Sequence, residues 1–223
     1  MLNIVWGVCA AMQPTSTAQW LNPPAPRPLP AASLWQVWLL ETPWYPAAVL
    51  ALVGLLGFVL LRRLHKPTPA VMVMGSCLGL ACAILAAGLT VRTPREMMLD
   101  ASRALVAAVA RADGAAVDTM LDESCQLRGF GPIGTMDKPG IVGAVRNKFA
   151  ANGAFAVSSC RIDESQAAAI GGGVGTTQLL GSATPKGGLY NAPVRTWWRI
   201  DWKLDTATKR VRAVAIAPLW LPE

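Results

Sequence analysis

The sequence predicts an α+β chain in which two transmembrane helices precede a domain of three helices on a curved antiparallel sheet. Residues 44–61 and 70–91 are apolar throughout and hold no charged residue. Each is long enough to cross a hydrocarbon core of about 30 Å at about 1.5 Å rise per residue. Beyond residue 93 the apolar period changes from that of helices to that of strands. The chain therefore divides into residues 1–43, a membrane hairpin at residues 44–91 and a domain at residues 93–223.

The basic tract between the two apolar stretches predicts their orientation. It holds Arg62, Arg63 and Lys66, whereas the 43 residues before the first stretch contain one basic residue, Arg27. Lys and Arg in short loops beside a membrane span stay on the cytoplasmic side. We therefore expect an integral protein of a bacterial cytoplasmic (inner) membrane, with both termini and the C-terminal domain extracytoplasmic.

The segment before the first span predicts an extended linker followed by an aromatic belt. Residues 22–30 (NPPAPRPLP) are rich in proline, which removes backbone donors and fixes φ near the polyproline value. Amphipathic aromatic side chains then follow, of the kind that settle at the level of lipid headgroups: Trp35, Trp38, Trp44 and Tyr45. An aromatic cofactor site is the alternative interpretation, and the belt is favoured.

The positive charge of the chain does not indicate nucleic-acid binding. Much of the formal net charge of +7 comes from basic residues at the ends of the two spans. In the C-terminal domain, basic and acidic residues alternate and form no long basic run, so an electrostatic footprint for nucleic acid is missing. The bilayer is the predicted partner, together with a protein partner or a second copy of the chain.

Three helices are predicted at the start of the domain. Thr93 as N-cap and Pro94 at the first helical position mark the beginning of the first helix. The second is expected over residues 114–125, and the third follows Asp137. Both Asp113 and Asp137 are predicted to cap the helices that follow them.

Strands are predicted after the third helix, and residues 194–204 carry the clearest pattern. Trp198, Ile200 and Trp202 alternate with Arg195, Trp197 and Arg199, which predicts one buried and one solvent-exposed face. Trp197 is therefore expected to point outward. Further strands are expected at residues 155–163, 178–184 and 209–217.

Five cysteines are distributed over the chain. Cys77 and Cys82 lie in the second apolar stretch and are expected to pack as small apolar residues. Cys9 follows Val8 and so lacks the small preceding residue of a lipoprotein processing site. Cys125 and Cys160 fall in the C-terminal domain, where an extracytoplasmic location permits a disulfide between them. Two buried free thiols are the equally open alternative.

Several phrases of the domain resemble the nuclear-transport-factor-2-like (SnoaL-like) superfamily. They are ALVAAVARADGAAVDTMLDES, DKPGIVGAVRNKFA, WWRIDWKLD and KRVRAVAIA, within a resemblance that covers about residues 93–221. The resemblance implies a cone-shaped domain. Members include enzymes, ligand binders, assembly modules and membrane-tethered domains, so the fold does not imply one function.

Familiar catalytic and metal-binding patterns are missing from the sequence. The sole histidine, His65, lies between the two apolar stretches, so no histidine-dependent triad can form in the domain. There is no CxxC or HExxH motif, and neither a metal nor a cofactor is predicted. The GGGVG stretch at residues 171–175 lacks the Lys and Ser/Thr of a phosphate loop and is interpreted as a glycine-rich turn or kinked strand.

Two functions are compatible with the sequence. The favoured one is a noncatalytic domain that binds a protein partner or a small apolar ligand, with Trp198 and Trp202 lining the cone or packing its core, and with Trp197, Arg195 and Arg199 as an outward contact surface. The alternative is a tethered isomerase or hydrolase. In similar cone-fold enzymes an acid in the cavity acts as acid or base, and Asp163 is the candidate that the resemblance suggests here.

Overall fold

A computed structural model describes residues 23–33, 35, 37–129, 134–153, 156–186, 193–205, 208 and 210–219. The chain separates into two compact units. One consists of residues 31–93, and the other joins the C-terminal domain from residue 94 onward with the N-terminal segment that ends at residue 30. Cys9 and the start of the proline-rich segment lie outside the described residues.

The first unit is a helical hairpin. A π-helical turn at Val37–Glu41 leads into helix α1, Trp44–Arg63, which a tight loop connects to helix α2, Pro67–Thr90. In each helix, the most apolar stretch of 18 residues has a mean hydropathy of 2.2. Most residues of these stretches are exposed. Both helices are thus long and apolar enough to cross a membrane. The side chains of Trp35, Trp38, Trp44 and Tyr45 are also exposed.

Small residues bring the two hairpin helices into contact. A methyl group added to Gly54 would lie 2.7 Å from Cβ of Cys77, and one added to Gly57 would lie 3.1 Å from Cγ1 of Val73. A side chain at Gly54 would force the helices to shift, and one at Gly57 would press on Val73, so glycine favours this close approach. The glycines of the first apolar stretch therefore serve the contact between α1 and α2.

The second unit begins with three helices: α3, Pro94–Ala110, α4, Gly114–Met120, and α5, Lys138–Lys148. The predicted caps at Asp113 and Asp137 are confirmed. The carboxylate of Asp113 accepts a hydrogen bond from the backbone N–H of Ala116 at 3.0 Å. That of Asp137 accepts one from the N–H of Gly140 at 3.1 Å. These contacts satisfy donors that a helix N-terminus leaves unpaired.

Helix α4 is shorter than predicted, because the chain enters strand β1, Leu121–Leu127, directly after Met120. Leu121 and Cys125 are both buried and lie four residues apart, which resembles a helical stripe. They are in a strand whose pairing with the last strand shifts register between Leu121 and Gln126. Tertiary strand pairing has here overridden a local helical pattern.

The sheet is completed by β2, Met136–Asp137, β3, Val157–Gly171, β4, Val174–Pro185, β5, Val194–Asp205, and β6, Arg210–Pro218. The strand order is β2-β1-β6-β5-β4-β3. Strands β3 to β6 pair antiparallel, as predicted, but β1 runs parallel to β6. The four predicted strands therefore pair as expected, and the additional strand β1 makes the sheet mixed instead of purely antiparallel.

The glycine-rich stretch forms the tight turn between β3 and β4. Gly172 and Gly173 connect the paired residues Gly171 and Val174, and their φ angles are +61° and +75°. A two-residue hairpin of this hand needs positive φ at both central positions, which glycine adopts without steric cost. The interpretation of GGGVG as a turn is confirmed.

One face of the sheet packs against the helices and forms the core. Its strand residues include Leu179, Ile200 and Trp202, in one cluster with Met98 and Leu105 of α3. The remaining members come from α3, α4, α5 and the flanking strands: Ala108, Val117, Leu121, Cys125, Ile141, Val142, Val145 and Ala213. We call this the core face, and the opposite side of β3, β4 and β5 the outer face.

Candidate functional site

A buried polar chain crosses the inside of the cone. Ser102 on α3 donates to the backbone carbonyl of Met98 at 2.8 Å, and its Oγ lies 3.0 Å from Oγ1 of Thr177 on β4. The indole N–H of Trp202 on β5 donates to the same Thr177 oxygen at 2.8 Å. If the Thr177 hydroxyl donates to Ser102, then the hydroxyl hydrogens of Ser102 and Thr177 and the indole N–H of Trp202 all take part in hydrogen bonds. The arrangement joins α3 to the sheet and leaves no free acid or base there.

The space between α3 and the core face is filled. Trp202 is fully buried, and Met98 is buried beside it in the same core cluster. A methyl group added to Gly175 would clash with the Met98 side chain, so helix and strand are in direct contact. Two shallow concavities are found among the described residues. One, of about 380 Å³, lies beside Met120 and Val211, and the other, of about 520 Å³, lies beside Lys138 and Val142.

Trp198 and Trp202 occupy the core face, as the alternation predicted. Trp202 belongs to the buried core, and Trp198 is partly buried against it. The indole N–H of Trp198 donates to Oγ1 of Thr196 at 2.7 Å. Both residues therefore pack the core, which was the alternative to a ligand-lining role.

Trp197 corrects a prediction. It lies on the outer face, opposite Leu180 of β4, but its side chain is 2% exposed instead of pointing into solvent. The alternation in β5 correctly separated the two faces. It could not show that the outer face is also covered here, because burial depends on what packs on the face and not on the strand's own sequence.

Asp163 also lies on the outer face and not in the cone. Its Oδ1 lies 2.7 Å from Nε of Arg161 in an ion pair, and its Oδ2 accepts a hydrogen bond from Nε of Arg195 at 3.0 Å. Arg161 and Arg195 both pair with Ser182 of β4, from its two sides. The carboxylate is thus held between two guanidinium groups on the side away from the helices. The expectation of an acid in the cavity is not met by this residue.

A second ion pair continues along the outer face. Nε of Arg199 lies 2.9 Å from Oδ1 of Asp201, and the hydroxyl of Thr176 donates to the same oxygen at 2.7 Å. The Arg199 side chain is half exposed, and exposed ion pairs contribute little to stability. Arg195 and Arg199 therefore lie on the predicted face, each engaged with a carboxylate.

Cys125 and Cys160 are both free thiols, which is the alternative to a disulfide that the sequence left open. Cys125 is on β1 and Cys160 is on β3, so three strands separate them. Four strand spacings of about 4.8 Å amount to roughly 19 Å, whereas a disulfide needs Cα atoms about 4.4–6.8 Å apart. Burial raises the pKa of the Cys125 thiol to about 11 and raises that of Cys160, so both thiols stay protonated and unreactive at neutral pH.

An ion cluster between α4, β1 and α5 was not predicted. Nζ of Lys138 lies 2.8 Å from Oε1 of Glu123 and 3.3 Å from Oδ1 of Asp118, and the Lys138 side chain is largely buried. The hydrogen bond to Glu123 raises the pKa of the ammonium group. No sequence signal marks these three residues, because tertiary contact alone brings them together. The cluster links three elements, and in the described part of the chain no group of His, Cys, Asp and Glu could hold a metal ion.

The chain thus combines an apolar helical hairpin with an α+β domain whose core face is packed by helices. No family model and no curated protein matches its sequence. Similar solved structures include an NTF2-like protein from Cytophaga hutchinsonii, 14% identical over 58% of this chain and 100% of that chain, with a TM-score of 0.47. An NTF2-like protein with a cystatin-like fold from Novosphingobium aromaticivorans is 15% identical over 61% of this chain and 87% of that one, with a TM-score of 0.49.

A third similar structure is an NTF2-like protein from Rhodospirillum rubrum. It is 13% identical over 56% of this chain and 98% of that chain, with a TM-score of 0.45. These similarities fall on the C-terminal part of the chain, where the sequence resembles the same superfamily. They concern the fold alone.

Proposed function

We propose that this chain is a membrane-anchored, noncatalytic domain that binds a protein partner on the extracytoplasmic side. The observation that carries the proposal is the filled cone. Trp202, Met98 and the Ser102–Thr177 contact occupy the space in which a small ligand would otherwise lie. This favours a protein partner over the small apolar ligand that the sequence left open. Asp163, the candidate of the enzyme alternative, is paired with arginines on the other side of the sheet.

The apolar hairpin supports the membrane part of the proposal. Its large side chains are exposed along both helices, and a soluble protein seldom leaves so large an apolar surface in water. The loop between α1 and α2 and the end of α1 carry Arg62, Arg63 and Lys66. If these basic residues stay in the cytoplasm, the start of α1 and the end of α2 lie on the extracytoplasmic side.

Cysteine labelling tests the orientation. In a chain whose five cysteines are replaced by alanine or serine, we introduce either His65→Cys in the loop or Ser158→Cys on β3. Both positions are exposed. A membrane-impermeant maleimide is expected to label Ser158→Cys in intact cells and His65→Cys only after permeabilisation. Labelling of the loop but not of β3 in intact cells would reverse the topology.

Photo-crosslinking tests the partner. A benzophenone amino acid is placed singly at four exposed basic positions that surround the domain: Arg103, Arg128, Lys148 and Arg199. On irradiation of intact cells that carry the full chain, at least one position is expected to give a discrete adduct with another protein. The buried Val117 serves as the matched control and should give none.

Two results would contradict the proposal. One is the absence of a protein adduct from all four surface positions. The other is a small molecule bound at stoichiometric amount in native mass spectra of the detergent-purified chain.

A further inference from the structure

The outer face of the sheet is buried although the helices pack on the opposite side. Trp197 on β5 and its neighbours on β4 and β3 have little exposed surface: Ala168, Thr176, Gln178, Leu180 and Ser182. Their positions in the strand register place them all on the face away from Thr177 and Trp202. If this face of the sheet were open to solvent, these side chains would be exposed to water. Something other than α3, α4 and α5 must therefore cover this face.

The proline-rich segment belongs to the same compact unit as this sheet. Residues 23–30 group with the C-terminal domain and not with the adjoining hairpin. The backbone N–H of Leu29 donates to Oε1 of Gln166 on β3 at 3.4 Å. Gln166 is the direct cross-strand neighbour of Gln178. Pro23, at the other end of the segment, is buried.

Two buried polar atoms on the outer face have no partner among the described residues. They are Oε1 of Gln178, an acceptor, and Nε1 of Trp197, a donor. Gln178 is 7% exposed and Trp197 is 2% exposed. Buried polar groups are nearly always paired. An acceptor and a donor on adjacent strands match the N–H and C=O groups of an extended peptide.

We propose that the outer face of β3, β4 and β5 is a peptide-binding surface, occupied by the chain's own residues 23–30, which an extended segment of a protein partner replaces. The inference rests on the proposed function and locates the surface that performs it. Trp197 supplies the apolar contact, and Gln166, Gln178 and the Trp197 indole supply the polar ones.

The chain's own segment is suited to being replaced. Pro23, Pro24, Pro26, Pro28 and Pro30 have no backbone N–H, so the segment offers few donors. Leu29 donates one of them to Gln166, while Oε1 of Gln178 has no partner among the described residues. A partner segment with free N–H groups can satisfy both glutamines. Because buried groups left unpaired are costly, such a segment is favoured over the resident one.

Crosslinking tests the resident segment. Leu29→Cys and Gln166→Cys are combined in a full chain that lacks other cysteines and are joined with a short bis-maleimide. In a mixture of ¹⁴N- and ¹⁵N-labelled chains, mass spectrometry is expected to find the crosslinked peptides within one isotope. The matched pair Leu29→Cys and Arg103→Cys, with Arg103 on α3, should not crosslink. Crosslinks that mix isotopes, or none for the Leu29–Gln166 pair, would overturn the proposal.

Peptide binding tests replacement. A fluorescent peptide of residues 20–33 with Pro26→Ala and Pro28→Ala regains two backbone N–H groups. We measure its anisotropy with the detergent-solubilised full chain and with the Leu29→Pro chain. Loss of one resident hydrogen bond should tighten peptide binding to the variant by about two- to tenfold. Equal affinity for the two chains, or no binding to either, would overturn the proposal.

A second chain variant distinguishes peptide recognition from simple packing. Gln178→Met in the Leu29→Pro chain removes the unpaired acceptor but keeps an apolar side chain of similar length. We expect the Ala-containing peptide to lose about two- to tenfold in affinity, whereas the unmodified proline peptide should be little affected. Equal losses for both peptides would overturn the proposal. A protein adduct in the photo-crosslinking experiment would leave the proposed function standing even then.

Discussion

Replacing Trp202 by alanine is expected to lower the free energy of unfolding of the C-terminal domain by about 3–5 kcal/mol, the usual cost of removing a large buried aromatic side chain. Trp202 is fully buried in the core, and its indole N–H donates to Thr177. A loss of this size is a large part of a typical domain's stability. It can be measured by pulse proteolysis of the detergent-solubilised full chain in increasing urea.

Milder variants keep this prediction testable if the alanine variant does not fold. Trp202→Phe keeps an aromatic ring but loses the hydrogen bond to Thr177, so part of the loss should remain. Indole added to Trp202→Ala should restore some stability by entering the new cavity, as small apolar molecules do in engineered cavities. The wild-type chain should not respond to indole. A stabilised wild type would mean that the cone has room for a ligand.

Replacing Trp197 by alanine is expected to cost about as much, roughly 3–5 kcal/mol, although Trp197 lies on the opposite face of the sheet. The reason is burial, since the side chain is 2% exposed. An exposed residue at the same position would cost less than about 0.5 kcal/mol. The same pulse-proteolysis measurement distinguishes a buried from an exposed Trp197 side chain. It is made on the full chain so that residues 23–30 are present.

The phenylalanine variants make a matched comparison of the two tryptophans. Nε1 of Trp197 has no partner among the described residues, whereas Nε1 of Trp202 donates to Thr177. Trp197→Phe should therefore cost less than Trp202→Phe, by about 0.5–1.5 kcal/mol, the net value of one hydrogen bond. A small loss for Trp197→Ala would show that the outer face is solvated and would remove the basis of the peptide-binding surface.

Local patterns predicted the features of this chain that depend on a few neighbouring residues. The caps at Asp113 and Asp137, the glycine turn and the division of β5 into two faces each follow from short-range chemistry. The parallel pairing of β1 with β6 was missed because it joins residues about 90 positions apart, such as Leu121 and Ala213.

The candidate site was less accessible to sequence reasoning than the fold. Residues 194–204 identified Trp197, Arg195 and Arg199 as one face, and the structure keeps them together. The segment that we propose as the cover of that face lies more than 130 residues away in the sequence, and the hydrogen bond from Leu29 to Gln166 joins it to the sheet. The residue pattern within residues 23–30, or within β3, does not predict this contact. The same holds for Asp163, whose place between Arg161 and Arg195 depends on the pairing of β4 with both β3 and β5.

The strand order also constrains when the domain can fold during synthesis. Strand β6, which ends at Pro218, lies between β1 and β5 in the sheet. Until this last strand has emerged, β1 with its short neighbour β2 cannot join the β3–β5 sheet, and two strand edges remain unpaired. Pairing over such a long stretch of chain is slow, and unpaired edges promote aggregation. The nascent domain therefore needs protection until nearly its whole length has been made, and removal of the final strand would leave two unjoined fragments of sheet.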